Sequence, residues 1–218
     1  MSIQERTVLH LNAADFAVAV ERVVDSSLCT RPVIVAPLQS ARAVVHDMSE
    51  EAYREGVRKG MLLREAVRRC RSAQVLPLRL DVYRKAMSVF VTEAREYTPI
   101  LESGAEDGHL FLDVTGTYRL FGTPPDVGWR LRRKIRSRIG INPIWSLGSN
   151  KLVAKVASRL VKPVGEYIVS PGEEELFLAP VPLVLLPGIT GAERKRLEEF
   201  NIRKTGDLAV LSRKQLYS

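Results

Sequence analysis

Between residues 109 and 114 the side chains alternate, with Leu110, Leu112 and Val114 pointing one way and His109, Phe111 and Asp113 the other. Gly108 and Gly116 punctuate the ends, and the period of two predicts a central strand with one face on a core. Residues 97–103 form a second short strand leaving a helix. The pair predicts a hairpin whose connecting end carries Glu106 and Asp107, an end suited to a metal or simply to water.

The same reading gives the rest of the chain in order. Residues 7–12 are a first strand running directly into a helix at 14–24, with Phe16, Val20 and Val23 or Val24 on one stripe. The junction 12–15 lies at a strand's carboxyl end, where α/β and α+β folds often bind ligands. Residues 32–36 and 41–45 are predicted as a hairpin joined by Pro37-Leu-Gln-Ser40, followed by helices at 49–55 and 62–71 and a strand at 74–77. A long helix at 81–97 carries Tyr83, Ala86, Phe90, Ala94 and Tyr97 at helical spacing, a core stripe. Val127, Leu131, Ile135 and Ile139 mark another buried stripe, surrounded by Arg130, Arg132, Arg133, Lys134, Arg136 and Arg138, a face that is either solvated or phosphate-contacting. A strand at 143–147 leads through Ser149, the expected N-cap, into a helix at 151–160. Lys162-Pro-Val-Gly165 closes it.

Beyond Pro171 the pattern turns helical and loop-rich. Leu186-Pro-Gly-Ile189, followed by a charged helix and a second short helix at 206–211, has the form of a helix-hairpin-helix. Its backbone N–H groups and helix N-terminus suit a phosphate. Gly188, Ile189, Thr190, Gly191, Arg194 and Lys195 are the candidate DNA-binding residues, with Thr190 standing where a second glycine is usual.

Composition narrows the class. The chain has 218 residues, 33 basic and 25 acidic, a formal charge of +8 and a pI near 9.7. That balance favours a polyanion such as nucleic acid, or else a basic solvated surface. No apolar run approaches a membrane span and no signal peptide opens the chain, so the expectation is cytoplasmic. Cys29 and Cys70 stand apart and are expected to be reduced core thiols.

Taken together, His10-Leu-Asn-Ala-Ala-Asp-Phe16, Pro32-Val-Ile-Val35, Gly56-Val-Arg-Lys-Gly-Met61, Leu112-Asp-Val-Thr-Gly116, Gly148-Ser-Asn-Lys151, Lys162-Pro163, Leu186-Pro-Gly-Ile189 and Gly206-Asp-Leu208 resemble the Y-family (DinB/UmuC-like) translesion DNA polymerases. The resemblance covers essentially the whole chain. It implies an α+β fold: a palm with a mixed or antiparallel sheet and helices on one face (1–23 and 77–163), small α/β fingers (24–76), and a helix-hairpin-helix thumb (164–218). The family's little-finger domain is absent, as in a truncated protein or a piece of a longer one.

The resemblance also implies two metal ions held by an Asp ending the first strand and an Asp-Glu pair entering the hairpin strand. Counted without gaps, those positions hold Asn12, Gly108 and His109, and none supplies a carboxylate. The second acidic position of the first motif falls on Ala14, the ribose-blocking position on Ala17, and two triphosphate contacts on Glu50 and Tyr53. Lys162 alone survives among the nucleotide contacts, and Asp113 matches a structural position. The expectation is therefore a catalytically inactive homologue, not an enzyme, without metal or cofactor. It would be closest to the ImuB-type accessory proteins and would serve as a DNA-binding scaffold in DNA repair and mutagenic translesion synthesis. It would bind DNA without sequence preference as a monomer, and recruit a partner polymerase and repair proteins through regions beyond this chain. The alternative is an active translesion polymerase using Mg2+, its carboxylates rearranged so that a one-residue bulge brings Asp107 toward a metal beside Asp15 or Asp113. A third reading is a protein-interaction scaffold with no useful DNA affinity.

Overall fold

The computed structural model describes residues 5–212 and 215. Strand β1 (Val8–Asn12) runs into helix α1 (Phe16–Val24) and a 3-10 turn. Strands β2 (Val33–Ala36) and β3 (Asp47–Met48), helices α2 (Glu50–Arg54) and α3 (Leu63–Arg69), and strand β4 (Gln74–Pro77) follow. Next come α4 (Leu80–Arg95), β5 (Leu101–Ser103), β6 (His109–Asp113), α5 (Tyr118–Phe121), α6 (Pro124–Ile139), β7 (Ile144–Gly148) and α7 (Lys151–Leu160). The last elements are β8 (Glu166–Ile168), α8 (Glu174–Leu178), a second 3-10 turn, α9 (Gly191–Glu199) and α10 (Thr205–Ala209).

Five strands form a sheet in the order β5-β6-β1-β7-β8, and three more form a sheet in the order β3-β2-β4. Both sheets have parallel pairs, β7 with β8 and β2 with β4, while β2 and β3 run antiparallel. The expected α+β class with mixed sheets is what the chain adopts. β1, not β6, is the middle strand, and its five residues are buried on both faces. β6 keeps the alternation read from its sequence, with Leu110 and Leu112 buried and its other residues half-buried.

By its contacts the chain divides into two compact units, 11–110 with 130–143, and 1–10 with 111–129 and 144–218. In the first, Phe16 meets Phe90 edge-on at 5.9 Å, and Tyr83, Phe90 and Ala94 of α4 are fully buried. A smaller core there joins Ile34, Val45, Met48, Ala52, Val57, Ala66 and Cys70 beneath the three-stranded sheet. In the second unit, Gly128 lets Trp145 lie against the α6 backbone, since a Cβ there would stand 2.7 Å from the indole. Val153, Ala157 and Val169 form a further cluster with Phe177 and Leu178.

Several local expectations change. The hairpin through Pro37–Ser40 does not form: Val44 makes only an isolated bridge to Leu62, and β2 pairs instead with Asp47 and Met48. Two residues of ladder leave too weak a local pattern to read. α1 begins at Phe16, because Asp15 takes a left-handed φ of 46° that a helix cannot contain. Its stripe lacks Val23 and Val24, which are exposed. α6 starts three residues earlier than its apolar stripe suggests. Thr123 Oγ1 accepts from Asp126 N, and Asp126 Oδ2 accepts from Thr123 N at 2.9 Å, a reciprocal cap with Pro124 in the first turn. Asn150 rather than Ser149 caps α7, its Oδ1 accepting from Val153 N at 3.0 Å. Both cysteines are free, but only Cys70 is in a core; Cys29 is exposed.

One buried polar node ties α1 to α4. The Glu21 carboxylate, 4% exposed, accepts from Arg79 and from Tyr83 Oη at 2.7 Å. Burial, reinforced by the Glu21 hydrogen bond, pushes the Tyr83 phenol far above its ordinary range. Tyr83→Phe removes one donor from a buried charge and is expected to cost about 1.5–3 kcal/mol. It should lower the urea midpoint of unfolding with no change in slope.

Candidate functional site

The β1–α1 junction is built from the backbone outward. Asn12 ends β1, 1% exposed, with its Nδ2 lacking a hydrogen-bond partner. Asp15 sits at the N-cap of α1 but makes no side-chain cap bond, and no acidic residue follows in the first turn. The helix is capped from elsewhere. Asp47 of β3 accepts from Ala17 N at 2.9 Å and from Met48 N at 3.1 Å, and pairs with Lys59 Nζ at 2.8 Å. This carboxylate is buried, compensated by two backbone donors and an ammonium. No local sequence signal announces it, because its partner lies 30 residues away.

The β5–β6 turn lies against the same junction. Ala13 N donates to Gly108 O at 3.0 Å, and Gly104 N donates to His109 O at 3.1 Å. Gly108 has a φ of +76°, and a Cβ there would stand 2.8 Å from Phe16 Cβ and 2.9 Å from Ala13 O. Only glycine fits. The exposed Asp107 carboxylate folds back over the turn, accepting from His109 N at 3.0 Å, where a Cβ on Gly104 would overlap it. Glu106 is held by Arg84 at 3.1 Å.

A hard divalent cation of the kind the resemblance implies needs several oxygen ligands. At the three assigned positions the structure offers a neutral buried amide at Asn12, no side chain and no room for one at Gly108, and an imidazole at His109. Among the described residues no group of three or more His, Cys, Asp or Glu could hold a metal ion. The residues at these positions do not fit such an ion. The carboxylates that neighbour them in the chain are Asp15, Asp107 and the Arg84-paired Glu106.

Other assigned positions have local partners. Ala17 is buried under the Asp47 bond. Glu50 pairs with Arg54 at 3.1 Å, and Tyr53 lies under the Arg58 guanidinium at 3.8 Å. Asp113 is engaged structurally, accepting from Arg6 Nε at 3.0 Å and Thr115 N at 3.1 Å. Burial pushes its carboxyl up, but the hydrogen bonds from Thr115 and Arg6 outweigh it and leave it below the usual range. Lys162 is exposed, and its bond to Pro163 is cis.

In the second unit Leu186-Pro-Gly-Ile189 links the second 3-10 turn, Leu183–Leu185, to α9. Gly188 has a φ of +95° and open space around it; around Gly191, the first residue of α9, the space is open too. Thr190 is a helix cap. Its Oγ1 accepts from Glu193 N at 3.2 Å, and its N and Oγ1 each donate to Glu193 Oε2 at 2.7 Å. Those bonds hold the Glu193 carboxyl below its usual range. Gly188, Thr190, Gly191 and Lys195 are exposed, while Arg194 pairs with Glu198 at 3.4 Å.

Much of the basic α6 face is engaged with α4. Lys134 pairs with Glu96 and lies 5.5 Å over the Tyr97 ring; Arg138 pairs with Glu93; Arg130 stands 6.0 Å from Tyr97. Arg132 Nε donates to Asn142 Oδ1 at 2.8 Å. Arg133 and Arg136 are exposed.

Gly108→Asp, which places a carboxylate at an assigned position, is expected to lower stability by about 1–3 kcal/mol from left-handed strain alone. Overlap with Phe16 and Ala13 adds to that loss. Chemical denaturation of the variant against the parent checks it.

The backbone closely matches solved polymerases. DinB from Sulfolobus solfataricus superposes with a TM-score of 0.87 at 23% identity, covering 96% of this chain and 62% of that one. An insertion ternary complex of Dbh DNA polymerase gives a TM-score of 0.84 at 23% identity, covering 96% and 62%. Among curated proteins, a DNA polymerase IV of Dehalococcoides mccartyi is 34% identical over 94% of this chain and 53% of its own length. One of Alkalilimnicola ehrlichii is 32% identical over 96% and 59%. The chain spans somewhat more than half the length of these relatives. Relatives named as polymerases along nearly the whole chain overturn the expectation of an inactive, cofactor-free scaffold, and they do not single out the ImuB type. The family model for impB/mucB/samB proteins matches residues 11–159. The chain thus belongs to the impB/mucB/samB family, the Y-family of DNA polymerases.

Proposed function

We propose that this chain is the palm, fingers and thumb part of a translesion DNA polymerase that binds primed DNA and transfers nucleotides to the primer end. The observation that carries the reading is 32–34% identity to proteins named DNA polymerase IV over more than nine tenths of the chain. In this reading residues 1–23 and 77–163 are palm, 24–76 fingers, and 164 onward thumb.

The chain's own residues supply binding and position. The turn at Gly188, Ile189, Thr190 and Gly191, with Arg194 and Lys195 on the helix that follows, contacts the DNA backbone without reading bases. The Lys162 ammonium draws in the nucleotide triphosphate. Phosphoryl transfer in such an enzyme relies on carboxylate-held metal ions. Because Asn12, Gly108 and His109 do not fit that task, the reading requires carboxylates placed differently, and Asp15 and Asp107 are the candidates.

The test is extension of a labelled primer annealed to a longer template, with deoxynucleoside triphosphates and Mg2+ or Mn2+. Extension by the parent, reduced at least about 100-fold in Asp107→Ala, is expected, as for loss of a group acting in the transition state. DNA binding without extension under either metal would contradict the reading.

A further inference from the structure

Helix α3 buries Ala66, with Cys70 at its C-cap, in the core beneath the three-stranded sheet and turns its other side outward. Its one acidic residue, Glu65, is taken by Arg69 at 2.8 Å. Arg64 and Arg68 stand at i and i+4 on the outer side, and Arg71 follows at i+7, just past the cap; all three are exposed. Among the described residues no carboxylate pairs with any of the three. Leu63 N donates to Ala43 O at 2.8 Å, which brings the exposed Arg42 to the start of the same helix. Val67, 38% exposed, is the apolar residue between them.

We propose that Arg64, Arg68 and Arg71 form a phosphate-contacting stripe that holds the single-stranded template beyond the primer. The inference rests on the polymerase reading for the identity of its ligand, and it assigns this lobe a DNA contact separate from the turn at Gly188. On the basic face of α6 most cations are matched by Glu93, Glu96, Tyr97 and Asn142, whereas among the described residues no carboxylate pairs with these three guanidiniums. A helix advances about 1.5 Å per residue, so Arg64 and Arg68 lie about 6 Å apart along α3, and Arg71 lengthens the stripe beyond the helix end. That length suits a few consecutive phosphates of one strand. The outward residues Arg64, Val67, Arg68 and Arg71 include no aromatic, Asn or Gln side chain, so the contact follows the backbone and is indifferent to sequence.

The test compares the parent with the triple variant Arg64→Ala/Arg68→Ala/Arg71→Ala, and with the charge-keeping triple Lys variant. Binding is followed by fluorescence anisotropy from 50 to 200 mM salt on oligothymidylate, on blunt duplex, and on primed template with a 5′ overhang. Each phosphate contact to a single strand contributes about 0.7 to the slope of log K against log salt. Loss of three lowers that slope by about 2, so the parent weakens roughly twentyfold more than the Ala variant over this range. The expected result is this change on oligothymidylate and overhang DNA, none on blunt duplex, and retention by the Lys variant. An unchanged slope on oligothymidylate, absence of single-strand binding by the parent, or an equal loss on blunt duplex would overturn the stripe. Failure of the parent to bind primed template at all would instead overturn the polymerase reading.

Discussion

The contact between Gly108 and the start of α1 is the constraint on which the candidate site depends. Gly108 O accepts from Ala13 N, and the missing Cβ lets the hairpin turn rest on Phe16 and the Ala13 carbonyl. A side chain there would push the turn and the helix apart. The consequence is chemical as well as structural, because the position that brings the two elements together is one that the family resemblance assigns to a metal ligand. Close packing at Gly108 leaves no room for a side-chain donor at that position.

The polar interactions around α1 show a similar economy. Its own N-cap residue does not cap it, and Asp47 of the three-stranded lobe does so from the middle of a buried node with Lys59. Further along, Arg22 bonds Glu51 at 2.9 Å, so α1 is fastened to that lobe near both ends. The lobe's internal charges are therefore matched where it meets α1, while the outer side of α3 carries cations that no carboxylate among the described residues pairs with. A buried charge must find a partner within the protein, whereas an exposed arginine can take its partner from the ligand.

The strongly periodic elements were legible in the sequence. Of the predicted stripes, Tyr83, Phe90, Ala94 and Tyr97 at α4 and Val127, Leu131 and Ile135 on α6 are buried, while Ala86 and Ile139 are half-buried, because one-sided burial of a long helix leaves a pattern that short-range exceptions cannot erase. What was not legible depends on distant partners. β3 is two residues long and exists through its pairing with β2, and the Asp47 cap is invisible locally. The early start of α6 was announced by Thr123-Pro-Pro-Asp126, but the apolar stripe begins later and drew the boundary with it. At the site, the absence of carboxylates at Asn12, Gly108 and His109 was plain in the sequence. The inference from that absence to an inactive scaffold was not supported, because over nearly the whole chain the relatives bear the name of a polymerase.

The central proposal is that this chain is part of a DNA polymerase whose metal ions are held beside the β1–α1 junction by Asp15 and Asp107 rather than at Asn12, Gly108 and His109. The most direct measurement is to crystallise the chain with primed DNA, a non-hydrolysable deoxynucleoside triphosphate and Mn2+, and to locate the manganese by anomalous scattering. The account predicts a manganese peak with Asp107 and Asp15 among its ligands. A ternary complex with ordered nucleotide and no manganese beside either residue would contradict it.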